Sequence, residues 1–315
     1  MKQKTYQRGI RQLFRLSAQN TVPGLRLDQY LCDEIPELSR TEARKIIDLG
    51  GVHLSGRRVR TCSATVQDGM QVEMHTDGLP FEIFRLADEH ILYRDKHLLV
   101  LNKPAGIDTQ PTPSRYKGTL YDALLALLGP TSGRKKPELG MVQRLDRGTS
   151  GLMVFSTHQN SHRGLSKIFL EHRVDKRYLA LVAKAPKPAS GEICSMLARS
   201  RKHNRMVSVQ HGGKNAITRY QTRAAVEAGA LLEIELLTGR SHQIRAHLSE
   251  AGSALLGDSL YGGVLDFGGF PLSRPMLHAF QLAFNHPVTA EKLKFELPMP
   301  DDMQRLCDKM FNGLS

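Results

Sequence analysis

The 315-residue chain has no tryptophan and only four cysteines, Cys32, Cys62, Cys194 and Cys307, none at CxxC spacing. A dense disulfide framework and a cysteine zinc cluster are excluded, and a reducing, cytoplasmic compartment is expected. No stretch approaches the roughly 18 uninterrupted apolar residues of a spanning helix. The opening MKQKTYQRGIRQLFRLSAQN lacks an apolar core, so no secretory signal and no membrane partner are expected. GxGxxG and GxSxG are missing, and Gly212-Gly213-Lys214 lacks the frame of a phosphate-binding loop. His242 and His247 do not fit HExxH spacing, so no metal site is expected there. Acid is scarce as well. Forty-four Lys and Arg face 31 Asp and Glu, a net charge of +13, which is the electrostatic footprint of a protein that binds a polyanion.

The charge is unevenly placed. Residues 1–22 carry Lys2, Lys4, Arg8, Arg11 and Arg15 and no acid, and read as a mobile basic arm. Residues 23–76 read as a small module. Leu25, Leu27, Tyr30 and Leu31 recur at helical spacing, and Pro36 breaks the chain. Ser39 caps a second helix, Arg40 to Leu49, which Gly50-Gly51 stops. Short strands around Val52, Leu54 and Val59 turn at Ser55-Gly56. Arg40, Arg44, Lys45, Arg57, Arg58 and Arg60 are expected to form one basic face of this module, though such residues also fit a solvated helix face. Residues 77–84 read as a linker, 85–302 as a larger domain and 303–315 as a tail. The larger domain alternates many strand-like runs with few helices (Thr119–Leu128, His162–Glu171, Arg240–Ala251). This predicts an α+β fold with a largely antiparallel sheet.

Three stretches carry chemistry. In Gln143-Arg144-Leu145-Asp146-Arg147-Gly148-Thr149-Ser150-Gly151 a carboxylate sits between two arginines ahead of a turn and a buried strand. A nearby guanidinium favours the ionised carboxylate, which suits a nucleophile or a general base. Taken alone, the pattern also fits a surface ion pair beside a turn. In Thr238-Gly239-Arg240-Ser241-His242-Gln243-Ile244-Arg245, Arg245 beside apolar residues reads as a half-buried guanidinium facing a carboxylate or phosphate. Between Ile193 and Val226 lie Arg199, Arg201, Lys202, Arg205, Lys214, Arg219 and Arg223 with no acid, a composition suited to phosphate contacts.

Arg144-Leu145-Asp146 followed by Thr149-Ser150-Gly151 resembles the signature of the RluA family of pseudouridine synthases. Leu101-Asn102-Lys103-Pro104-Ala105-Gly106, Lys176-Arg177-Tyr178-Leu179-Ala180, Thr238 to Arg245, Gly257-Asp258 with Leu260 to Gly263, and Leu277-His278-Ala279 agree in order. Arg26-Leu27-Asp28, Ser39-Arg40 through Lys45, and Gly50-Gly51-Val52 resemble the RNA-binding module named after ribosomal protein S-four. The resemblance implies that Asp146 is the catalytic aspartate, acting at the anomeric centre or on the uracil ring, with Arg245 its partner. Tyr178 would stack on the uracil and assist proton transfer. Arg144, with Arg147 beside it, would contact RNA and fill the space of an extruded nucleotide. It implies an isomerase without metal or organic cofactor, acting as a monomer on structured RNA. Ribosomal RNA is favoured by the front module, transfer RNA is the alternative, and a catalytically silent RNA binder is a further one. Gln143 stands where the family often has His, and the 107–116 segment lacks the usual His.

Overall fold

The computed structural model describes residues 5–129, 138–200 and 202–312, and the chain divides into two units, Met1–Leu86 with Asp108–Gly129, and Ala87–Ile107 with Pro130–Ser315.

The first unit holds strands β1 (Leu13–Ser17), β2 (Val52–Leu54), β3 (Arg57–Val59) and β4 (Gln71–His75), and helices α1 (Leu27–Glu34), α2 (Arg40–Leu49) and α3 (Leu120–Leu128). The strands form an antiparallel sheet in the order β1-β4-β2-β3. Helix α2 occupies the residues its caps specify. The Ser39 hydroxyl accepts the Glu42 amide, and Gly50, at φ 91°, turns the chain in the left-handed region that glycine adopts most readily. Ala43, Ile46 and Ile47 bury one face of α2 against Leu27, Leu31, Val52, Val72 and Met74.

Two expected boundaries are corrected here. The basic arm is a strand over part of its length. Leu13 to Ser17 pair with Gln71 to His75, and Phe14 enters the core, so an alternating apolar residue outweighs the polar surroundings. The expected linker is held, and it is held by residues 108–129. Buried Arg115 makes a two-point pair with Asp77 and donates to the carbonyls of Pro80 and Glu82. Lys117 pairs with Asp48. The larger domain is therefore not one uninterrupted stretch from residue 85.

The second unit contains strands β5 (Ile91–Arg94), β6 (Leu98–Lys103), β7 (Gly140–Met141), β8 (Ser150–Ser156), β9 (Val174–Val182), β10 (Ser190–Ser200), β11 (Arg205–Val209), β12 (Lys214–Val226), β13 (Gly229–Leu236), β14 (Asp266–Phe267), β15 (Phe270–Pro271), β16 (Leu277–Asn285) and β17 (Lys292–Glu296), with helices α4 (Gln159–Leu170), α5 (Gln243–Glu250) and α6 (Asp301–Asn312). One sheet runs β11-β10-β12-β13-β9-β16-β8-β6-β5, and among its described pairings only β16 with β8 is parallel. The antiparallel α+β expectation holds.

The parallel contact is close. At Gly151, φ 121°, a Cβ would lie 2.2 Å from the Ala279 carbonyl oxygen, so no larger residue fits beside β16. The expected tail is also corrected. Helix α6 inserts Met303, Leu306 and Met310 into the core with Leu181, Leu256 and Met276. Its apolar residues at helical spacing sit among charges, which disguised a packed helix as a polar end. Helix α5 begins at Gln243 rather than Arg240. The Gln243 side chain accepts from Thr238 Oγ1 and the Arg240 amide and donates to Ile217 O and Thr218 Oγ1, which holds residues 238–242 as a loop.

Candidate active site

Asp146 sits on a loop that buried groups pull tight. Lys103, fully buried at the end of β6, donates from Nζ to the carbonyl oxygens of Pro104 (2.8 Å), Thr149 (2.9 Å) and Arg147 (3.3 Å). The Gly106 amide also donates to the Arg147 carbonyl, and the Thr149 amide to the Asp146 carbonyl. From the other side, Arg274 holds Asp302 of α6 at 2.6 and 2.7 Å and donates to the Gly148 carbonyl. Cations from two distant segments, Lys103 and Arg274, thus satisfy carbonyls of the loop, which fixes the one carboxylate it presents.

That carboxylate faces Arg245. Nη1 donates to Asp146 Oδ2 at 3.0 Å, while Nε and Nη2 grip Asp258 at 2.7 and 2.8 Å. The ring of Tyr261 lies 5.0 Å from the Arg245 guanidinium carbon. His242 stands in the left-handed region at φ 51°, its Nδ1 3.1 Å from Tyr261 Oη and its Nε2 3.8 Å from Asp146 Oδ2. Burial lowers its imidazole pKa, so near pH 7 it is a neutral neighbour of Asp146.

A cavity of about 660 Å³ opens over these groups, lined by Asp146, Tyr178, Arg144, His242, Lys176 and Phe169 among others. Tyr178 is 6% exposed. Burial first, and the charge of Asp146 second, push its phenol pKa upward, so the hydroxyl keeps its proton. Arg144 is exposed at the rim, tied to Ser241 Oγ at 2.9 Å. Gln143 also lines the cavity, and its Nε2 is buried without a hydrogen-bond partner. The structure therefore brings together Asp146, Arg245, Tyr178 and Arg144.

The other expected RNA contacts divide. Arg40 and Arg44 do not present a free face. With Arg26 they surround the fully buried Asp28 at 2.8–3.3 Å. Burial alone would raise the Asp28 pKa, but hydrogen bonds from the three guanidiniums outweigh it and hold the carboxyl far below its usual range. Arg58 is half-buried, donates to Thr112 O and lies over Tyr116, as does Arg60 at 4.4 Å. Lys45 and Arg57 are exposed. The 193–226 run is built of strands β10 to β12. Arg199, Lys202 and Lys214 are exposed there, Arg199 bonded to Asn204, and Arg205 lies over Tyr261 at 5.6 Å. Arg219 pairs with Glu192 and Glu235, and Arg223 with Glu233, so neither is a free phosphate contact. Arg147 offers its carbonyl to the loop clamp, and Arg201 lies outside the described residues.

Among the described residues, His53, Glu73 and His75 of the first unit are grouped closely enough to be considered as metal ligands. Arg15 already holds Glu73 Oε1 at 2.9 Å, which argues against a cation there. His247 is committed to Thr218 and Ser195. Sequence reasoning missed Lys103, Asp258, Arg274 and His242 as supports. Lys103 and Asp258 stand inside quoted motifs, but their roles depend on partners far away in the chain.

A profile of the RNA pseudouridylate synthase family matches residues 97–250, and one of the S4 domain matches residues 25–72. Ribosomal large subunit pseudouridine synthase D of Zymomonas mobilis is 36% identical over 307 residues, covering 90% of this chain and 93% of its own length. An uncharacterized RNA pseudouridine synthase of Bacillus subtilis is 33% identical, covering 90% and 94%. Among solved structures, human RNA pseudouridylate synthase domain containing 4 superposes with a TM-score of 0.55 at 25% identity, over 69% of this chain and 92% of that one. The chain belongs to the RNA pseudouridine synthase family, in its RluA branch, with an S4 domain ahead of the synthase sheet. Members of this family are isomerases. Among the described residues no helix is long and apolar enough to cross a membrane.

Proposed function

We propose that this enzyme converts specific uridines of large-subunit ribosomal RNA to pseudouridine, with Asp146 as the catalytic carboxylate. The observation that carries the reading is the Asp146 carboxylate facing the cavity with Arg245 as its counter-charge and Tyr178 beside it. The relatives named for large-subunit ribosomal RNA and the S4 domain support the substrate class.

In the reaction the bond from C1′ to N1 breaks, the uracil rotates, a bond from C1′ to C5 forms, and C5 loses its proton while N1 gains one. Asp146 acts at the anomeric carbon or on the ring. The buried Tyr178 offers a flat apolar surface for the uracil and a protonated hydroxyl that can donate a hydrogen bond to it. A stacked uridine reaches such a cavity only after leaving its helix, and in this reading Arg144, exposed at the rim, fills the space it leaves. Incubation with RNA tritiated at uracil C5 tests this. Release from ribosomal RNA is expected. Release from transfer RNA alone would move the substrate, and release from neither would overturn the reading.

A further inference from the structure

Strand β9 presents Lys176 and Tyr178 two residues apart, hence on one face, and both line the cavity. Lys176 is set apart from the other cations nearby. Arg177, on the opposite face, is paired with Asp175 and Glu233. Arg245 is taken up by Asp146 and Asp258. No carboxylate of the described residues lies within ion-pair distance of Lys176, whose Nζ meets the Phe169 ring at 6.0 Å. Burial lowers its ammonium pKa to about 8, the mark of a cation held away from water without a counter-charge. A Cβ at Gly239 would lie 3.9 Å from Nζ, in ordinary contact, so the ammonium passes close beside the Gly239 backbone.

The charges lining the cavity are Arg144, Arg240, Arg245 and Lys176 against Asp146 alone, with His172, His242 and Tyr178 as the other titratable neighbours. Uracil is uncharged. The anion that a uridine within an RNA strand brings with it is its phosphodiester. We infer that Lys176 binds a phosphate of the substrate strand next to the reacting uridine and so positions that nucleotide against Asp146. The inference rests on the reading under Proposed function. It makes Lys176 a substrate-binding residue, with no part in bond breaking.

The test uses the full-length enzyme and a stem-loop RNA that it modifies, with a neutral methylphosphonate replacing each phosphate flanking the target in turn. Lys176→Met is expected to raise KM about tenfold or more, the scale of a lost charged hydrogen bond, with kcat within a few-fold. Lys176→Arg should stay near wild type. One methylphosphonate position should raise the wild-type KM by a similar factor and leave that of Lys176→Met unchanged, because the two changes remove one contact. Should Lys176→Met not fold, pH decides. Wild type should lose its sensitivity to that methylphosphonate as pH rises above about 8, while Lys176→Arg keeps it. Additive effects at every position, a collapse of kcat with KM unchanged, or a sensitivity that does not change with pH would overturn the inference. A wild type without turnover on any RNA overturns the functional reading itself, whereas turnover without the coupling overturns only the role of Lys176.

Discussion

Arg245 and Asp258 form a buried two-point ion pair, Nε to Oδ2 at 2.7 Å and Nη2 to Oδ1 at 2.8 Å, and this pair aims the remaining Nη1 at Asp146. Asp258 also caps the short turn over Ser259–Tyr261 that carries the tyrosine against Arg245. Asp258→Asn removes the buried counter-charge but keeps the shape. A broken buried pair costs about 3 kcal/mol or more, and the freed guanidinium loses its aim. Turnover is expected to fall about tenfold to a hundredfold with RNA binding near wild type, alongside a melting temperature lower by several degrees. Kinetics together with calorimetry check this.

Lys103 is expected to matter as a support. Lys103→Met keeps the volume but removes the donor to the Pro104 and Thr149 carbonyls and one of two donors to that of Arg147. Each unmet buried acceptor costs about 1 kcal/mol or more. Stability should fall by a few kcal/mol in urea titration, and kcat should fall more than KM rises, because the loop that holds Asp146 loosens.

Stability should also fall on the acid side through His278. Its Nδ1 lies 2.9 Å from Ser150 Oγ, and burial, then the charge of Arg274, push the imidazole from 6.5 down to about 4. The unfolded chain takes up the proton first. The folded state therefore loses stability as pH falls from about 6.5 towards 4, and above 6.5 the contribution is complete. The loss is on the order of 3 kcal/mol. Urea midpoints across pH 7.5 to 4.5 should drop in wild type and drop less in His278→Gln.

Removing the first 76 residues is a poor test of the front module, because Lys117 would lose Asp48, and Arg115 with its partner Asp77 would stay behind as a remnant of the unit. Charge removal is cleaner. Lys45→Gln with Arg57→Gln takes away two exposed cations that hold no ion pair among the described residues. If both meet phosphates, the slope of log affinity against log salt should shrink by roughly one to two. Filter binding across a salt series reads this.

How far the sequence disclosed the molecule depended on how local each signal was. Helix α2 was legible because Ser39 and Gly50 mark its ends through their own backbone chemistry. Thr119 and Gly129 did the same for α3. Strands β10 and β11 were not legible, since their exposed positions carry Arg, Ser and Glu that blur the alternation. The basic face of the first module was overdrawn for a related reason. Arg40 and Arg44 are repeated at helical spacing, yet what decides their role is Asp28, twelve and sixteen residues away. The motif residues Asp146 and Arg245 could be named from the resemblance. The cations and carboxylates that hold them in place could be assigned only once the chain had folded.

Asp146 is proposed to perform the isomerisation. The most direct measurement compares wild type with Asp146→Asn for tritium release from C5-labelled ribosomal RNA, with RNA affinity measured on the same samples. Wild type is expected to release tritium and the variant none, with affinities within a few-fold of each other. Sustained release by freshly prepared Asp146→Asn would contradict that role.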